Sequence, residues 1–142
     1  MLEINDLTIQ YGAQPPTVEH FDLSMKQGEI ISVVGESGSG KTTAALAALG
    51  LLGSGLHAEG SVLLKGESFR AGAQRPLRFR RAVQVVFQDP YSSLNPRMTV
   101  EDIIGEPLDV HKLYQTKEER RARVLELMTL VGLNAEHATR YA

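Results

Sequence analysis

Gly35-Glu36-Ser37-Gly38-Ser39-Gly40-Lys41-Thr42-Thr43 matches the phosphate-binding P-loop pattern G-x-x-x-x-G-K-[ST] in full. Each residue type has a physical task on a nucleoside triphosphate. Gly35, Gly38 and Gly40 lack Cβ atoms, so the loop can wrap tightly and turn successive N–H groups toward phosphate oxygens. Lys41 would reach the β- and γ-phosphates as a point charge, and Thr42 would place its hydroxyl on Mg²⁺. A helix starting near Thr42 would aim its N-terminal N–H groups and positive dipole end at the same anion.

The flanks agree with that reading. Ile30-Ile31-Ser32-Val33-Val34 is a β-branched run that predicts a buried parallel strand. Ala44 to Leu52 is rich in Ala and Leu and predicts a helix, ended by Gly53-Ser54-Gly55. Strand, glycine loop and helix is the order that phosphate binding requires.

Composition sets the bounds. A chain of 142 residues with 42% hydrophobic and 23% charged residues predicts a soluble globular domain with a real core. Its net charge of −2 gives no footprint for nucleic acid or an anionic membrane. With no cysteine there is no disulfide and no thiolate metal site. Met1-Leu2-Glu3-Ile4-Asn5-Asp6 lacks the basic and apolar parts of a signal peptide. The longest apolar tract, Ala44 to Leu52, is far short of a bilayer span. The chain reads as cytoplasmic in character, able to dock on a membrane protein.

Further elements follow from periodicity. Leu2 to Gln10 alternates apolar and polar with one irregular step and predicts a half-buried strand. Val18 to Met25 predicts a second strand, and Gln27-Gly28-Glu29 a tight turn. Ser61 to Leu64 predicts a short strand turned by Lys65-Gly66-Glu67, and Val83 to Phe87 a further buried one. Arg70, Arg75, Arg78, Arg80 and Arg81 form a basic, partly helical stretch. Phosphate or partner binding is one reading of it, and a solvated helix face, in an acidic chain, is the simpler. Thr99 predicts the N-cap of a helix limited by Pro107. Thr116-Lys117-Glu118-Glu119 is a capping box for a last helix. Val124, Leu127, Met128 and Val131 are its apolar stripe, and Gly132 its stop.

A second segment narrows the family. Val85-Val86-Phe87-Gln88-Asp89-Pro90-Tyr91-Ser92-Ser93-Leu94-Asn95-Pro96-Arg97-Met98-Thr99 closely resembles the Q-loop region of ATP-binding cassette (ABC) transporter subunits. It is most similar to the oligopeptide, dipeptide and nickel importer group, and the resemblance runs from Leu2 to Ala142. It implies an α/β P-loop NTPase fold: a mixed sheet, an N-terminal antiparallel β portion and a C-terminal helical portion. Residues 1–98 would be the ATP-binding core and residues 99–142 the start of the helical subdomain.

The resemblance also implies roles. Tyr11 would stack on the adenine ring, and Val18 would pack beside the base or ribose. Gly35 and the segment Ser37, Gly38, Ser39, Gly40, Lys41, Thr42 and Thr43 would hold the phosphates of ATP. Thr42 and Gln88 would serve Mg²⁺, and Gln88 would also reach the attacking water. Lys41 and Gln88 are thus the expected catalytic residues. Residues after Gln88 would contact a membrane-spanning permease subunit at the cytoplasmic face of the inner membrane, where the protein would be peripheral. A second ABC ATPase subunit would supply a signature loop to close the site. Nucleic acid is no expected partner.

The family's signature loop, its apolar strand ending in Asp-Glu and its switch histidine have no counterpart in these residues. His111 and His137 have no strand before them and read as surface histidines. The expectation is therefore the first part of a cassette: an ABC-type ATPase when complete, binding ATP without efficient turnover on its own, with one flank of the sheet uncovered. Two alternatives stay open. One is a truncated nucleotide-binding module without turnover. The other is a different P-loop enzyme such as a small-molecule kinase, for which residues 70–81 would be the only candidate lid and against which the Q-loop string argues.

Overall fold

Ile4, Leu7 and Ile9 can share one face of a strand only if an extra residue is absorbed between Ile4 and Leu7. In the computed structural model, which describes residues 1–89 and 93–141, it is absorbed as a bulge in strand β1 (Leu2–Tyr11). Asn5 pairs with Ser61 and Thr8 with Glu59, so Asp6 and Leu7 together oppose Gly60. Asp6 takes a φ of 51°, and Ile4, Leu7 and Ile9 are all buried. Only glycine fits opposite, because a Cβ on Gly60 would lie 2.5 Å from the Asp6 carbonyl oxygen.

β1 is an inner strand of a four-stranded antiparallel sheet ordered β2-β1-β3-β4, with β2 at Val18–Met25, β3 at Leu56–Leu64 and β4 at Glu67–Arg70. β3 begins at Leu56, ahead of the expected Ser61. Lys65 and Gly66 both have positive φ, 52° and 85°, which suits the two-residue turn joining β3 to β4. On β2, His20 has a φ of 48°, and its Nδ1 lies 2.6 Å from Asp6 Oδ1. That hydrogen bond, with the Asp6 charge behind it, raises the imidazole pKa above its ordinary value.

Helix α1 (Lys41–Leu49) lays Ala44, Ala47 and Ala48 into the same core as Ile4, Leu7, Ile9 and Val62. It stops at Gly50, which is left-handed at φ 70°, so the expected extension to Leu52 does not form. Helix α2 (Leu77–Ala82) adds Phe79 to that core. The basic stretch is not uniformly solvated, since Arg75 is only 2% exposed. Its Nε and Nη2 donate to Ala48 O at 3.1 and 2.8 Å, and Nη1 donates to Arg70 O and Ala73 O at 2.7 and 2.9 Å. Its guanidinium also lies 5.6 and 5.2 Å from the Phe69 and Phe79 ring centres. Burial lowers its pKa from the usual guanidinium value, and the carbonyls at the negative end of α1 accommodate the charge. Arg78 pairs with Glu67 at the surface, as a solvated face would.

Two expected strands are absent. Ile30–Val34 and Val83–Phe87 form no ladder with any described strand, and Ile30, Val34 and Val86 are 93%, 87% and 98% exposed. A β-branched run becomes a strand only where a neighbour takes up its N–H and C=O groups. Among the described residues no neighbouring strand does, and the Val83 N–H goes back to Phe79 O at 2.9 Å, as the end of α2.

The chain divides into two compact units, Met1–Val83 and Gln84–Ala142. The second is helical. Helix α3 (Val100–Val110) starts at Thr99, whose hydroxyl accepts from Asp102 N at 3.2 Å. It runs through Pro107 rather than stopping there: only one helical N–H is lost at Pro107, and His111 N still bonds to the Pro107 carbonyl at 3.1 Å. Helix α4 (Lys117–Leu130) carries the expected capping box, Thr116 with Glu119. Leu108, Val124, Met128 and Ala138 are the core of this unit, while Val131, expected in the stripe, is 71% exposed past the helix end. Arg120 grips Asp109 with two bonds of 2.7 and 2.8 Å, over Gly105, where a Cβ would meet the guanidinium. The Arg120 and Tyr114 hydrogen bonds hold the Asp109 carboxyl below its usual value. His111 and His137 are part-exposed, and His137 Nδ1 accepts from Asn134 N at 3.0 Å. No described helix is long and apolar enough to cross a membrane.

Candidate functional site

The Gly35–Thr43 loop is marked by what it omits. Ser39 N bonds to Glu36 O at 3.2 Å and closes a turn, after which α1 begins at Lys41. The N-cap is Gly40, so no side chain occupies the N–H groups of the first turn, and no acidic residue stands in that turn. Unclaimed N–H groups and the positive end of the helix dipole therefore converge where a phosphate would sit. The Ala-rich sequence of α1 buries the helix against the sheet and fixes its direction.

Lys41 folds back into the loop. Its Nζ donates to Gly35 O at 2.8 Å, Glu36 O at 2.6 Å and Ser39 Oγ at 3.3 Å. All three ammonium donors are thus spent on loop oxygens, and an entering phosphate would compete with carbonyls for them. Ser37 and Gly38 are exposed at the loop turn, Thr42 is exposed on the first helical turn, and Thr43 is half-buried. A free hydroxyl at Thr42 is a hard oxygen donor of the kind Mg²⁺ accepts. Glycine-lined N–H groups, an ammonium and that hydroxyl fit a magnesium-bound triphosphate.

Val18 and the loop are brought together. A Cβ on Gly40 would fall 2.6 Å from Val18 Cγ2, so the first residue of β2 rests directly on the last glycine before the helix. Tyr11 ends β1 with its side chain largely open, at 53% exposure. Gln88 is exposed in the second unit. Of the Q-loop string, Pro90, Tyr91 and Ser92 lie outside the described residues. No group of three or more His, Cys, Asp or Glu able to hold a metal occurs among the described residues.

Two residues near this machinery carried no sequence signal. Gly55 lies against the Tyr11 ring, and Arg75 holds the far end of α1. In the sequence Gly55 marks only part of a helix stop, and Arg75 is only one of a basic run.

Comparison with known proteins gives the family and the fold. The family described as ABC transporter matches residues 18–142. The oligopeptide transport ATP-binding protein OppF of Bacillus subtilis (strain 168) is 46% identical over 99% of this chain and 47% of its own length. The dipeptide transport ATP-binding protein DppF of Lactococcus lactis subsp. cremoris (strain MG1363) is 45% identical over 96% of this chain and 44% of its own. The chain thus spans less than half the length of these curated relatives. Among solved structures, the ATP-binding cassette MJ0796, a post-hydrolysis dimer bound to ADP and Pi, matches with a TM-score of 0.70 and 25% identity, over 99% of this chain and 61% of that one. The α/β architecture described above is part of that cassette fold.

Proposed function

The chain belongs to the ABC transporter family, and from that premise we propose that it is the ATP-binding part of an importer ATPase for peptides. The observation that carries this reading is the phosphate loop: Lys41 poised inside it and an α1 N-terminus with neither a capping side chain nor an acid. The names of the relatives, oligopeptide and dipeptide transport proteins, support peptides over nickel as the cargo. Lys41 and the first-turn N–H groups hold the β- and γ-phosphates, with Gly35, Ser37, Gly38, Ser39, Gly40 and Thr43 shaping the cradle. Tyr11 stacks on adenine and Val18 packs beside it. Thr42 and, on the resemblance alone, Gln88 would hold Mg²⁺, which would supply positive charge against that developing on the phosphates.

Residues 1–98 act as the ATP-binding core and residues 99–142 begin the helical subdomain. The segment after Gln88 docks on a membrane-spanning permease subunit, which makes the protein peripheral at the cytoplasmic face. A second ATPase subunit closes the nucleotide from the other side. These residues supply binding, and efficient turnover belongs to the complete cassette.

Lys41→Ala tests the reading. Loss of a charge-assisted contact should weaken Mg-ATP binding by about 1.5–3 kcal/mol, roughly tenfold to a hundredfold, in titration calorimetry. Equal affinity in both proteins would overturn it.

A further inference from the structure

Tyr11 does not stand alone at the end of β1. It pairs with Leu56 across the ladder, and Gly12 N bonds to Gly55 O at 3.2 Å. Gly55 itself is left-handed, with a φ of 86°. A Cβ built there would lie 3.0 Å from Tyr11 Cε2, 3.4 Å from Cζ and 3.5 Å from Oη. The first distance is tighter than ordinary carbon contacts, so any side chain at position 55 pushes the ring away. The ring therefore rests on bare backbone on one side, while 53% of the residue stays open. Residue 55 lies 44 positions beyond Tyr11, after the phosphate loop and α1, so the two come together only in the folded unit.

We propose that Gly55 is a positioning residue for base recognition: its backbone is the seat of the Tyr11 ring and sets the face offered to the adenine. This rests on the reading of Tyr11 as the stacking residue. Stacking matters to ATP and not to its phosphates alone, which separates a misplaced ring from a damaged loop. A ring tilted off its seat loses part of the overlap that base stacking requires.

The test compares ATP with inorganic tripolyphosphate, both with Mg²⁺, in the wild type, Gly55→Asn, Tyr11→Ala and the double variant. Asn adds the same Cβ yet tolerates a positive φ better than other side chains, which keeps backbone strain small. Tyr11→Ala should weaken ATP binding about tenfold, and Gly55→Asn about threefold to tenfold. Neither should change tripolyphosphate affinity. In the Tyr11→Ala background, Gly55→Asn should have no further effect, the mark of two residues acting as one. The inference alone is overturned if Gly55→Asn leaves ATP affinity unchanged, weakens both ligands alike, or acts equally with and without the ring. If Tyr11→Ala leaves ATP affinity unchanged, the stacking reading falls and takes this one with it. If the wild type binds neither ligand, the nucleotide reading itself falls.

Discussion

Arg75 carries a full charge into the interior, and its hydrogen-bond partners there are backbone carbonyls. Replacing it by a side chain of similar length without donors would strip the buried Ala48 carbonyl of both its guanidinium bonds and take one donor each from Ala73 O and from Arg70 O, which keeps its bond from Ala73 N at 3.3 Å. Arg75→Met should lower the unfolding free energy by about 2–4 kcal/mol, read as a lower urea midpoint at unchanged slope. Arg75→Lys should recover only part, because an ammonium cannot reproduce the guanidinium fork. A loss under about 0.5 kcal/mol for Arg75→Met would mean that the carbonyls find water instead. Arg75 and Lys41 also mark how far single residues were legible. Lys41 is legible because its neighbours in sequence are its neighbours in space. Arg75 stands among five arginines with nothing in its spacing to set it apart. Phe69 and Phe79 single it out, approaching from two different elements.

The same contrast holds for elements. The capping box at the start of α4 is local chemistry, and the fold contains it as the sequence spells it: Thr116 Oγ1 accepts from Glu119 N at 3.2 Å, and Glu119 Oε2 accepts from Thr116 N at 3.3 Å. Thr116→Ala should cost about 1 kcal/mol, measured by chemical denaturation, with Thr116→Ser close to wild type. An Ala variant as stable as the wild type would show that packing of Val124 and Met128 holds the helix without its cap. Ile30–Val34 and Val83–Phe87 failed as strands because β propensity is half of a pairing, and the other half must come from elsewhere. Pro107 predicts a helix limit because a proline in a helix removes one bond. The remaining bonds of α3, and Leu108 buried against α4, carry the helix past it.

At the scale of the whole molecule, the sheet order β2-β1-β3-β4 was not legible, because periodicity tells which face a strand buries and not which strand lies beside it. Even so, the irregular step in β1 was visible as a spacing fault between Ile4 and Leu7, and the register explains it. Without Asp6, Asn5 would face Ser61, Leu7 would face Gly60 and Thr8 would face Glu59, an unbroken ladder. On the other side, Asn5 and Leu7 would meet Asp22 and Phe21 in sequence. Ile4, Leu7 and Ile9 would keep their buried face by simple alternation. A protein lacking Asp6 should therefore stay within about 1 kcal/mol of wild-type stability in urea, whereas a protein lacking Thr8 should turn Ile9 outward and unfold far more readily. Equal damage from both deletions would sink the idea. The bulge is thus a place where this gene can lose a codon without losing its reading of inside and outside. Length differences between related chains are expected to gather at that position, leaving the rest of the strand fixed in size.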